Sequence, residues 1–221
     1  MATRNTVGGR GDGLPAGAFQ RMDEEADRRF YDAPRFVQHI DDGAIGAVTA
    51  AILRHIPPGA DLLDLMSSWV SHLPPAADLP LGRVVGLGLN ADELARNPRL
   101  DERTVRDLNA DPRLPYPDAT FDAVTITVSV QYLTHPAETL REVARVLRPG
   151  GVLLVSFSNR MFATKAVRIW QETPEEDRPA LVRLYLALAG GFAPPAVELH
   201  RPPRSWLGGG DPLWTVVARR A

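Results

Sequence analysis

Apolar residues recur along the first part of the chain with two different spacings, which predict a helix followed by strands. The helix has its apolar face at Ile45, Val48, Ile52 and Ile56, with Asp41 or Asp42 available as the N-cap and Pro57-Pro58 at its end. Residues 60–66 (ADLLDLM) and 83–89 (RVVGLGL) are short apolar runs beside turn residues, as is typical of buried parallel strands.

The alternation of strands and helices continues through the middle of the chain. Residues 104–108 are predicted as a third strand, and residues 121–130, rich in β-branched side chains, as a fourth. One helix face is marked by Leu140, Val143, Ala144 and Leu147. This helix is expected to end at residues 148–151 (RPGG), and residues 151–158 follow as a fifth strand.

The last part of the chain predicts one more helix and two closing strands. Residues 173–176 (TPEE) have the sequence of a capping box with Pro at the first helical position. The helix that follows is expected to turn Leu181, Leu184, Tyr185 and Leu188 inward and to end at Gly190. Residues 196–202 and 213–220 are predicted as strands.

Repeated strand, helix, strand order implies an α/β fold. Right-handed crossovers then produce a doubly wound, mostly parallel sheet with helices on both faces. A chain of 221 residues suits one domain. Residues 1–18 are rich in glycine and polar side chains, so we expect a disordered tail there and a single domain over 19–221.

Composition narrows the classes of ligand. The formal net charge of −2 gives no basic field for nucleic acid or an anionic membrane, so a small-molecule ligand is expected. The chain has no Cys, which excludes disulfides, thiolate zinc sites and cysteine nucleophiles, and no His and carboxylate spacing predicts a metal site. Apolar runs are too short for a membrane span and no apolar signal core is visible, so we expect a cytoplasmic protein. Basic residues are nearly all Arg, with Lys165 the only Lys, and Ala and Pro are abundant, a bias that suggests a bacterial source with a GC-rich genome.

Residues 121–159 carry a motif of one known family. FDAVTITVSVQYLTHPAETLREVARVLRPGGVLLVSFSN resembles the central part of class I S-adenosylmethionine-dependent methyltransferases, in its Phe-Asp-x-Val strand start and its RVLRPGG helix end. Residues 114–124 (LPYPDATFDAV) are similar to the lead-in to the fourth strand of those enzymes, and the resemblance extends over about residues 30–160.

The resemblance implies the remaining architecture and the reaction. It implies a seven-stranded Rossmann-like sheet, closed by an antiparallel pair made from the last two strands. It further implies S-adenosyl-L-methionine as cofactor and a small-molecule methyl acceptor, with O-, N- and C-methylation left open. A monomer or homodimer is expected, with no nucleic acid or membrane partner.

The loop after the first strand departs from the family pattern. The family has acid-x-Gly-x-Gly-x-Gly there, and the corresponding positions are Asp64, Met66, Ser68 and Val70, so the acid is present and the glycines are not. Glycine serves there because the backbone approaches the cofactor closely and can need positive φ. The hydroxyls of Ser67 and Ser68 are candidates to contact the methionine carboxylate or the ribose.

The ends of the second and third strands should hold the nucleoside. The family's ribose-binding acid falls at Gly88, so Asn90, beside Leu89, is the preferred substitute, with Asp92 as the alternative. Asp107 stands where the family binds the adenine amino group, with Leu108 and Asn109 beside it. An exocyclic amine requires an acceptor, which a carboxylate supplies.

Candidate catalytic residues follow the fourth strand and lie in the N-terminal segment. Tyr132 and His135 are the catalytic candidates just past the strand, where ligands bind in doubly wound sheets, and His39 is the candidate in the N-terminal segment; Ser129 and Gln131, beside Tyr132, are candidates for cofactor binding. His135 could act as a base and Tyr132 could orient the acceptor, although His135 could equally begin the next helix.

Residues 19–42, by the family resemblance, form a lid. Arg35 would then pair with the cofactor carboxylate, Tyr31 would pack on the sulfonium, and His39 would lie near the site. The alternative is that the aromatic residues of this segment only seal the edge of the sheet. The roles of Trp69 and His72 also stay open. They could cover the adenosine of the cofactor, or they could only occupy the volume left by the missing glycines.

Three further alternatives stay open. GLGLNA, residues 86–91, fits a dinucleotide-binding fingerprint, with Asp107 about the expected distance on, although the fingerprint normally follows the first strand. A protein of the same fold could also bind the cofactor without methylating, as a cyclase-like catalyst or a partner subunit. Arg160, beside Asn159, could bind an acidic acceptor, or Asn159 could cap a helix.

Overall fold

The computed structural model describes residues 14–202 and 209–221, and within them the chain builds a seven-stranded sheet. Its strands are β1 Leu62–Leu65, β2 Val84–Gly88, β3 Glu102–Val105, β4 Phe121–Thr127, β5 Leu147–Phe157, β6 Ala196–His200 and β7 Leu213–Arg219. The spatial order is β3-β2-β1-β4-β5-β7-β6. The first five are parallel, and β7 runs antiparallel to both β5 and β6. The doubly wound, mostly parallel fold is therefore confirmed.

Within the described residues there are six α-helices, two before β1 and four between later strands. They are α1 Asp27–Phe30, α2 Asp42–His55, α3 Ala91–Arg96, α4 Pro136–Val146, α5 Arg168–Glu172 and α6 Arg178–Ala189. Short 3-10 turns occupy Val130–Tyr132 and Glu175–Asp177. The predicted start of α2 is confirmed, because the Asp41 side chain accepts a hydrogen bond from the Ala44 amide at 2.8 Å. The predicted end of α6 at Gly190 is also confirmed, with φ of 73°.

The two faces of the sheet bury different helices. On one face, Leu65 and Ile126 belong to a buried cluster that includes residues of α4 and α6. On the other face, Leu62 and Leu154 pack in a cluster with Val48 and Ile52 of α2, among others. Apolar runs that are buried on both sides account for the continuous hydrophobic strands seen in the sequence.

Three strands differ from the prediction by three residues or more at one end. β4, predicted over 121–130, ends at Thr127, and a 3-10 turn begins at Val130. β3 ends at Val105, so residues 106–108 lie beyond the strand, at the carboxyl edge of the sheet. β5 begins at Leu147, so the RPGG segment lies inside a strand and not at a helix end. The pairing of β4 with β5 shifts register between Phe121 and Ala123, and this irregularity accommodates the extra residues.

The predicted capping box was wrong. The Thr173 hydroxyl donates to the Ile169 carbonyl at 2.6 Å, so it closes α5 instead of starting α6. The inward face of α6 is also shifted, because Val182 and Leu186 are buried whereas Leu184 is 39% exposed. Leu188, predicted inward, is only partly buried.

The N-terminal prediction needs one correction. Residues 1–13 lie outside the described part of the chain, but residues 14–18 form a turn in which Leu14 and Ala18 are buried. The expected disordered tail therefore does not extend to residue 18. Among the described residues, no helix combines the length and the apolar character needed to span a bilayer.

Candidate functional site

A cavity of about 380 Å³ opens at the carboxyl ends of β1 to β4, and we call it the strand-end cavity. Ligands of doubly wound sheets bind at this edge, and the volume lies within the usual range for small-molecule pockets. The lid segment, residues 19–42, contributes to its lining through Asp27, Tyr31, Arg35 and residues 37–39.

Most residues proposed from the sequence line the strand-end cavity. They are Tyr31, Arg35, His39, Asp64, Met66, Ser67, Ser68, Leu89, Asn90, Asp107, Leu108, Asn109, Ser129 and Tyr132. Their convergence comes from topology, because parallel strands bring their carboxyl ends to one edge of the sheet.

Two proposed residues lie elsewhere and are corrected. His135 lines a second cavity, which we call the side cavity, and its Nδ1 lies 3.0 Å from the Thr134 hydroxyl oxygen. Its backbone carbonyl accepts from Thr139, so His135 begins α4, as the alternative interpretation held. Gln131 is 1% exposed and donates through Nε2 to the Val128 carbonyl, and it does not line the strand-end cavity.

Asp64 organises the loop that follows β1. Its buried carboxylate accepts hydrogen bonds from Ser67 at 2.5 Å, Ser71 at 2.6 Å and Thr125 at 3.1 Å. Burial raises the pKa of Asp64, and the three hydroxyl donors oppose that rise because they stabilise the charged form. The Ser67 hydroxyl, expected to contact a ligand, thus serves first to hold the acid.

Met66 has a left-handed backbone conformation, which glycine adopts more readily than other residues. Its φ is 60°, in the left-handed region that costs an ordinary residue about 1–2 kcal/mol. The Met66 side chain is partly buried and packs against the core. The loop therefore turns as a glycine loop would, without glycine.

The β1 loop, residues 66–72, fastens the lid segment. The Ser68 hydroxyl donates to Glu93 Oε2 at 2.5 Å, and Glu93 Oε1 accepts from the Arg35 amide at 2.7 Å. Trp69 Nε1 donates to the Val37 carbonyl at 3.2 Å. Ser68, at a glycine position of the family, and its neighbour Trp69 thus connect the loop to α3 and to the lid segment.

Asn90 also holds the lid and has no side-chain atom left for a ligand. Its Oδ1 accepts from the amides of Asp92 and Glu93, as the N-cap of α3. Its Nδ2 donates to the carbonyls of Tyr31 and Asp32 at 2.8 and 3.1 Å. The expectation that Asn90 binds the ribose conflicts with this arrangement.

Asp107 lines both the strand-end cavity and the side cavity, and one of its carboxylate oxygens has no partner among the described residues. Its Oδ1 accepts from the amides of Asn109 at 3.0 Å and Ala110 at 3.2 Å. No described residue donates to Oδ2. Asp107 is 8% exposed, so the open oxygen belongs to a buried carboxylate whose position is fixed by the turn after β3.

Asn109 joins three parts of the site. Its Nδ2 donates to Asp27 Oδ2 at 2.7 Å and to the Tyr132 carbonyl at 2.9 Å. Its Oδ1 accepts from the amide and hydroxyl of Thr134. Asn109 therefore positions the lid against the segment after β4 and has no capacity left for a ligand.

Three buried polar atoms around the strand-end cavity have no hydrogen-bond partner among the described residues. They are Arg35 Nη1, Arg106 Nε and Ser129 Oγ. The Arg35 guanidinium carbon lies 4.3 Å from the Phe30 ring centroid and 5.5 Å from that of Tyr31. Because buried donors normally find partners, these atoms indicate a polar ligand.

Aromatic and imidazole side chains form the far wall. The Phe162 ring lies 5.2 Å from His39 and 6.1 Å from Tyr132, centroid to centroid. The Tyr132 hydroxyl accepts from the Phe162 amide at 2.8 Å. Burial lowers the pKa of His39 and of His72, which favours neutral imidazoles near pH 7. Burial also raises the pKa of the Tyr31 and Tyr132 hydroxyls.

No cluster of three or more His, Asp or Glu side chains within residues 14–202 and 209–221 could hold a metal ion.

Comparison with known families identifies the domain. A family model described as a methyltransferase domain matches residues 63–155, from β1 through most of β5. Residues 63–155 are thus similar to a methyltransferase domain. Within this methyltransferase domain, the GLGLNA segment is the end of the second strand, so it does not occupy the first-strand position that a dinucleotide fingerprint normally takes.

Curated relatives share the methyltransferase domain. The ubiquinone/menaquinone biosynthesis C-methyltransferase UbiE of Ectopseudomonas mendocina is 31% identical over 155 residues, covering 66% of this chain and 55% of that protein. UbiE of Pseudomonas aeruginosa strain LESB58 is 43% identical over 82 residues, covering 34% of this chain and 32% of that protein. The chain thus matches about a third to a half of the length of these relatives.

Solved structures share the fold. A crystal structure of the [4+2]-cyclase SpnF has a TM-score of 0.59 at 16% identity, covering 87% of this chain and 91% of that one. An S-adenosylmethionine-dependent methyltransferase from Mesorhizobium loti has a TM-score of 0.55 at 21% identity, covering 80% and 98%.

Sequence reasoning missed several lining residues of the methyltransferase domain. Glu93 accepts a hydrogen bond from Ser68, and Ser71 donates one to Asp64. These pairs form only when the loop folds, and no local sequence motif marks Glu93 or Ser71. Phe162 follows β5 at the same edge of the sheet, next to Arg160, which had been considered. Arg106 could have been found, because it precedes Asp107 at a strand end.

Proposed function

We propose that this protein is an S-adenosylmethionine-dependent methyltransferase that acts on a small molecule. The observation that carries the proposal is the set of unpartnered polar atoms around the strand-end cavity of a methyltransferase domain. Arg35 Nη1, Ser129 Oγ and Asp107 Oδ2 offer two kinds of cofactor contact, donors for a carboxylate and an acceptor for an amine.

The residues present fit the cofactor at both ends. Asp107 Oδ2 would accept from the adenine amino group, with Leu108 as an apolar neighbour. Arg35 would bind the methionine carboxylate through Nη1, and the nearby Tyr31 ring suits a sulfonium. The side chains of Asn90 and Asn109 hold the lid and the segment after β4 instead of the ligand.

For the ribose, Glu93 replaces Asn90 in the proposal. Each oxygen of the Glu93 carboxylate accepts one hydrogen bond, from Arg35 N or from Ser68 Oγ, and each retains a second lone pair. Glu93 is 7% exposed and lines the strand-end cavity. A ribose on this carboxylate would also touch the junction of loop and lid.

The chain's own residues would position the reactants and exclude water. When bound, the cofactor supplies a methyl group on a positively charged sulfur. The lid, fastened by Asn90, Glu93 and Trp69, covers the cavity and keeps a lined-up acceptor from solvent. Neutral His39 could take a proton from a hydroxyl or ammonium acceptor at its imidazole nitrogen. Tyr132 would orient the acceptor through its hydroxyl.

Calorimetric titration of the folded chain with S-adenosylmethionine and S-adenosylhomocysteine tests this proposal. Binding of both, followed by release of S-adenosylhomocysteine when S-adenosylmethionine and cell extract are added, supports a methyltransferase. A folded sample that binds neither compound at about millimolar concentration contradicts it.

A second function is favoured by one observation. In the β1 loop, Ser68 binds Glu93 of α3 and Trp69 binds the lid segment at Val37, which suits a site that holds a cofactor firmly. We infer that a cofactor-binding protein that does not methylate, a cyclase-like catalyst or a partner subunit, is the alternative. S-adenosylhomocysteine binding without any release from S-adenosylmethionine in cell extract would favour this alternative.

A further inference from the structure

The strand-end cavity has more unpartnered cationic donors than free carboxylate acceptors. Four carboxylates line it, those of Asp27, Asp64, Glu93 and Asp107. Every one of their oxygens except Asp107 Oδ2 accepts a hydrogen bond from a described residue. Almost every carboxylate oxygen of the cavity wall thus accepts a hydrogen bond from the protein before any ligand binds.

The guanidinium groups of Arg35, Arg106 and Arg160 also line the cavity, and each has at least one nitrogen without a hydrogen-bond partner among the described residues. Arg35 and Arg106 each bury one nitrogen without a partner. Arg160 uses only Nε among its side-chain nitrogens, toward Asp211 at 2.7 Å, and no described residue accepts from its Nη atoms. Arg106 already pairs with Asp111 through its Nη2 at 2.5 Å, so if Arg35 binds the cofactor carboxylate, Arg160 is the guanidinium of the described lining left for a second anionic group.

The Arg160 side chain is fixed by its hydrogen bond to Asp211. Asp211 is 6% exposed, and its second oxygen accepts from the Asp41 amide at 3.1 Å. The Asp41 carboxylate accepts in return from the Asp211 amide at 2.7 Å and caps α2. The Nε of Arg160 is therefore anchored to a buried pair of loops, and the rest of the guanidinium belongs to a side chain that lines the cavity and is 65% exposed.

The surface beside Arg160 suits a planar ring. Phe162, two residues on, lies edge-on to His39 at 5.2 Å and stacks on Tyr132 at 6.1 Å. Met161 and Trp69 add apolar lining. His39 and His72 carry pKa values lowered by burial, so their neutral forms leave two cations at this wall, Arg160 and Arg35, whose guanidinium carbon lies 5.5 Å from the Phe162 ring centroid.

We propose that the methyl acceptor is a small aromatic carboxylic acid, whose carboxylate binds the Nη atoms of Arg160 and whose ring packs on Phe162. This inference rests on the proposed methyltransferase function. Asp211 is a positioning residue in it, because it acts only through Arg160. A guanidinium that presents two parallel N–H groups recognises a carboxylate in two-point geometry.

The test uses the full chain saturated with S-adenosylhomocysteine. Calorimetry compares 3-hydroxybenzoate with its methyl ester and with 3-hydroxybenzylamine, which keep the ring and change the charge. We expect the acid to bind at least about tenfold more tightly than either analogue, the effect of one charge-assisted hydrogen-bond pair.

Variants separate a binding role from a structural one. Arg160→Gln should remove the preference for the acid while leaving S-adenosylhomocysteine affinity unchanged, and Arg160→Lys should restore part of it. Asp211→Asn should reduce the ratio of acid to ester affinity, which a loss of stability alone would not change. Arg183→Gln, on the exposed face of α6, is the matched control and should keep the preference.

The outcomes separate this inference from the proposed function. Failure of S-adenosylhomocysteine to bind contradicts the methyltransferase itself. If that compound binds, the acceptor inference is overturned by equal affinity for acid and ester, by absence of acid binding, or by a preference that survives in Arg160→Gln.

Discussion

The backbone carbonyl oxygen of Ser67 occupies the space that a side chain at Gly88 would need. A first side-chain carbon at position 88 would meet this oxygen far inside van der Waals contact. The contact is fixed by a hydrogen bond from the Ser67 amide to the Leu87 carbonyl at 2.8 Å. The missing glycines of the β1 loop and the missing ribose-binding acid at position 88 are therefore connected. The backbone of the β1 loop occupies the space that an acidic side chain at position 88 would need.

Gly88→Ala should destabilise the protein by at least about 1–3 kcal/mol, because the added carbon forces the β1 loop off the end of β2. Urea unfolding measures the change in the free energy of unfolding. The control is Gly46→Ala inside α2, where an added carbon meets nothing within 4 Å and should stabilise the helix by about 0.5–1 kcal/mol. Equal behaviour of the two alanine variants would disprove the close approach of loop and strand.

Substitutions of Met66 should reveal strain in the β1 loop. Met66→Gly and Met66→Ala both remove the side chain, but only glycine adopts φ of 60° freely. The glycine variant should therefore be more stable than the alanine variant by about 1 kcal/mol in denaturant unfolding.

A matched pair at Val105, an exposed position in β3, should give the opposite order. Glycine in a strand interior is about 0.5–1 kcal/mol less favourable than alanine. If alanine proves better than glycine at position 66 as well, the left-handed conformation of Met66 is refuted.

Asp107→Ala should weaken S-adenosylhomocysteine binding by about 1–3 kcal/mol, because the adenine amine would be left without its acceptor. Asp107→Asn retains an acceptor oxygen and should lose less. Calorimetry gives the affinities, and unfolding curves show whether the turn after β3 survives. Asp118→Ala, whose side chain is 77% exposed, serves as control. Unchanged affinity in Asp107→Ala would exclude the adenine contact.

His39 and His72 should both titrate below the ordinary histidine pKa of 6.5, because burial disfavours their charged forms. The unfolded chain then binds protons more readily than the folded one, so the free energy of unfolding should fall as pH drops below about 6.5. NMR titration of the imidazole protons measures each pKa.

The variant His39→Gln should raise the pKa of His72, because the charge of His39 disfavours protonation of its neighbour. The double variant of His39 and His72 to Gln should flatten the dependence of stability on pH over this range. Titration of either imidazole above 6.5 in the native protein would contradict the burial seen at the cavity wall.

The sequence by itself determined the order of elements, the parallel sheet and most of the site. Hydrophobic runs such as residues 60–66 and 121–130 are buried on both sides, so their composition alone predicts a strand. Strand ends carry polar residues such as Asp64 and Asp107, and parallel topology brings those ends to one edge. Position along a strand therefore sufficed to place them at one cavity.

Only the tertiary structure decided what each side chain is committed to. Asn90 and Asn109 lie at the cavity as expected, yet contacts with the lid and the segment after β4 use all their polar atoms. His135 lies at the side cavity and not at the strand-end cavity. Glu93 became a wall residue because Ser68 and Arg35, distant in sequence, converge on it. Hydrogen-bond partners depend on distances that spacing along a chain does not fix.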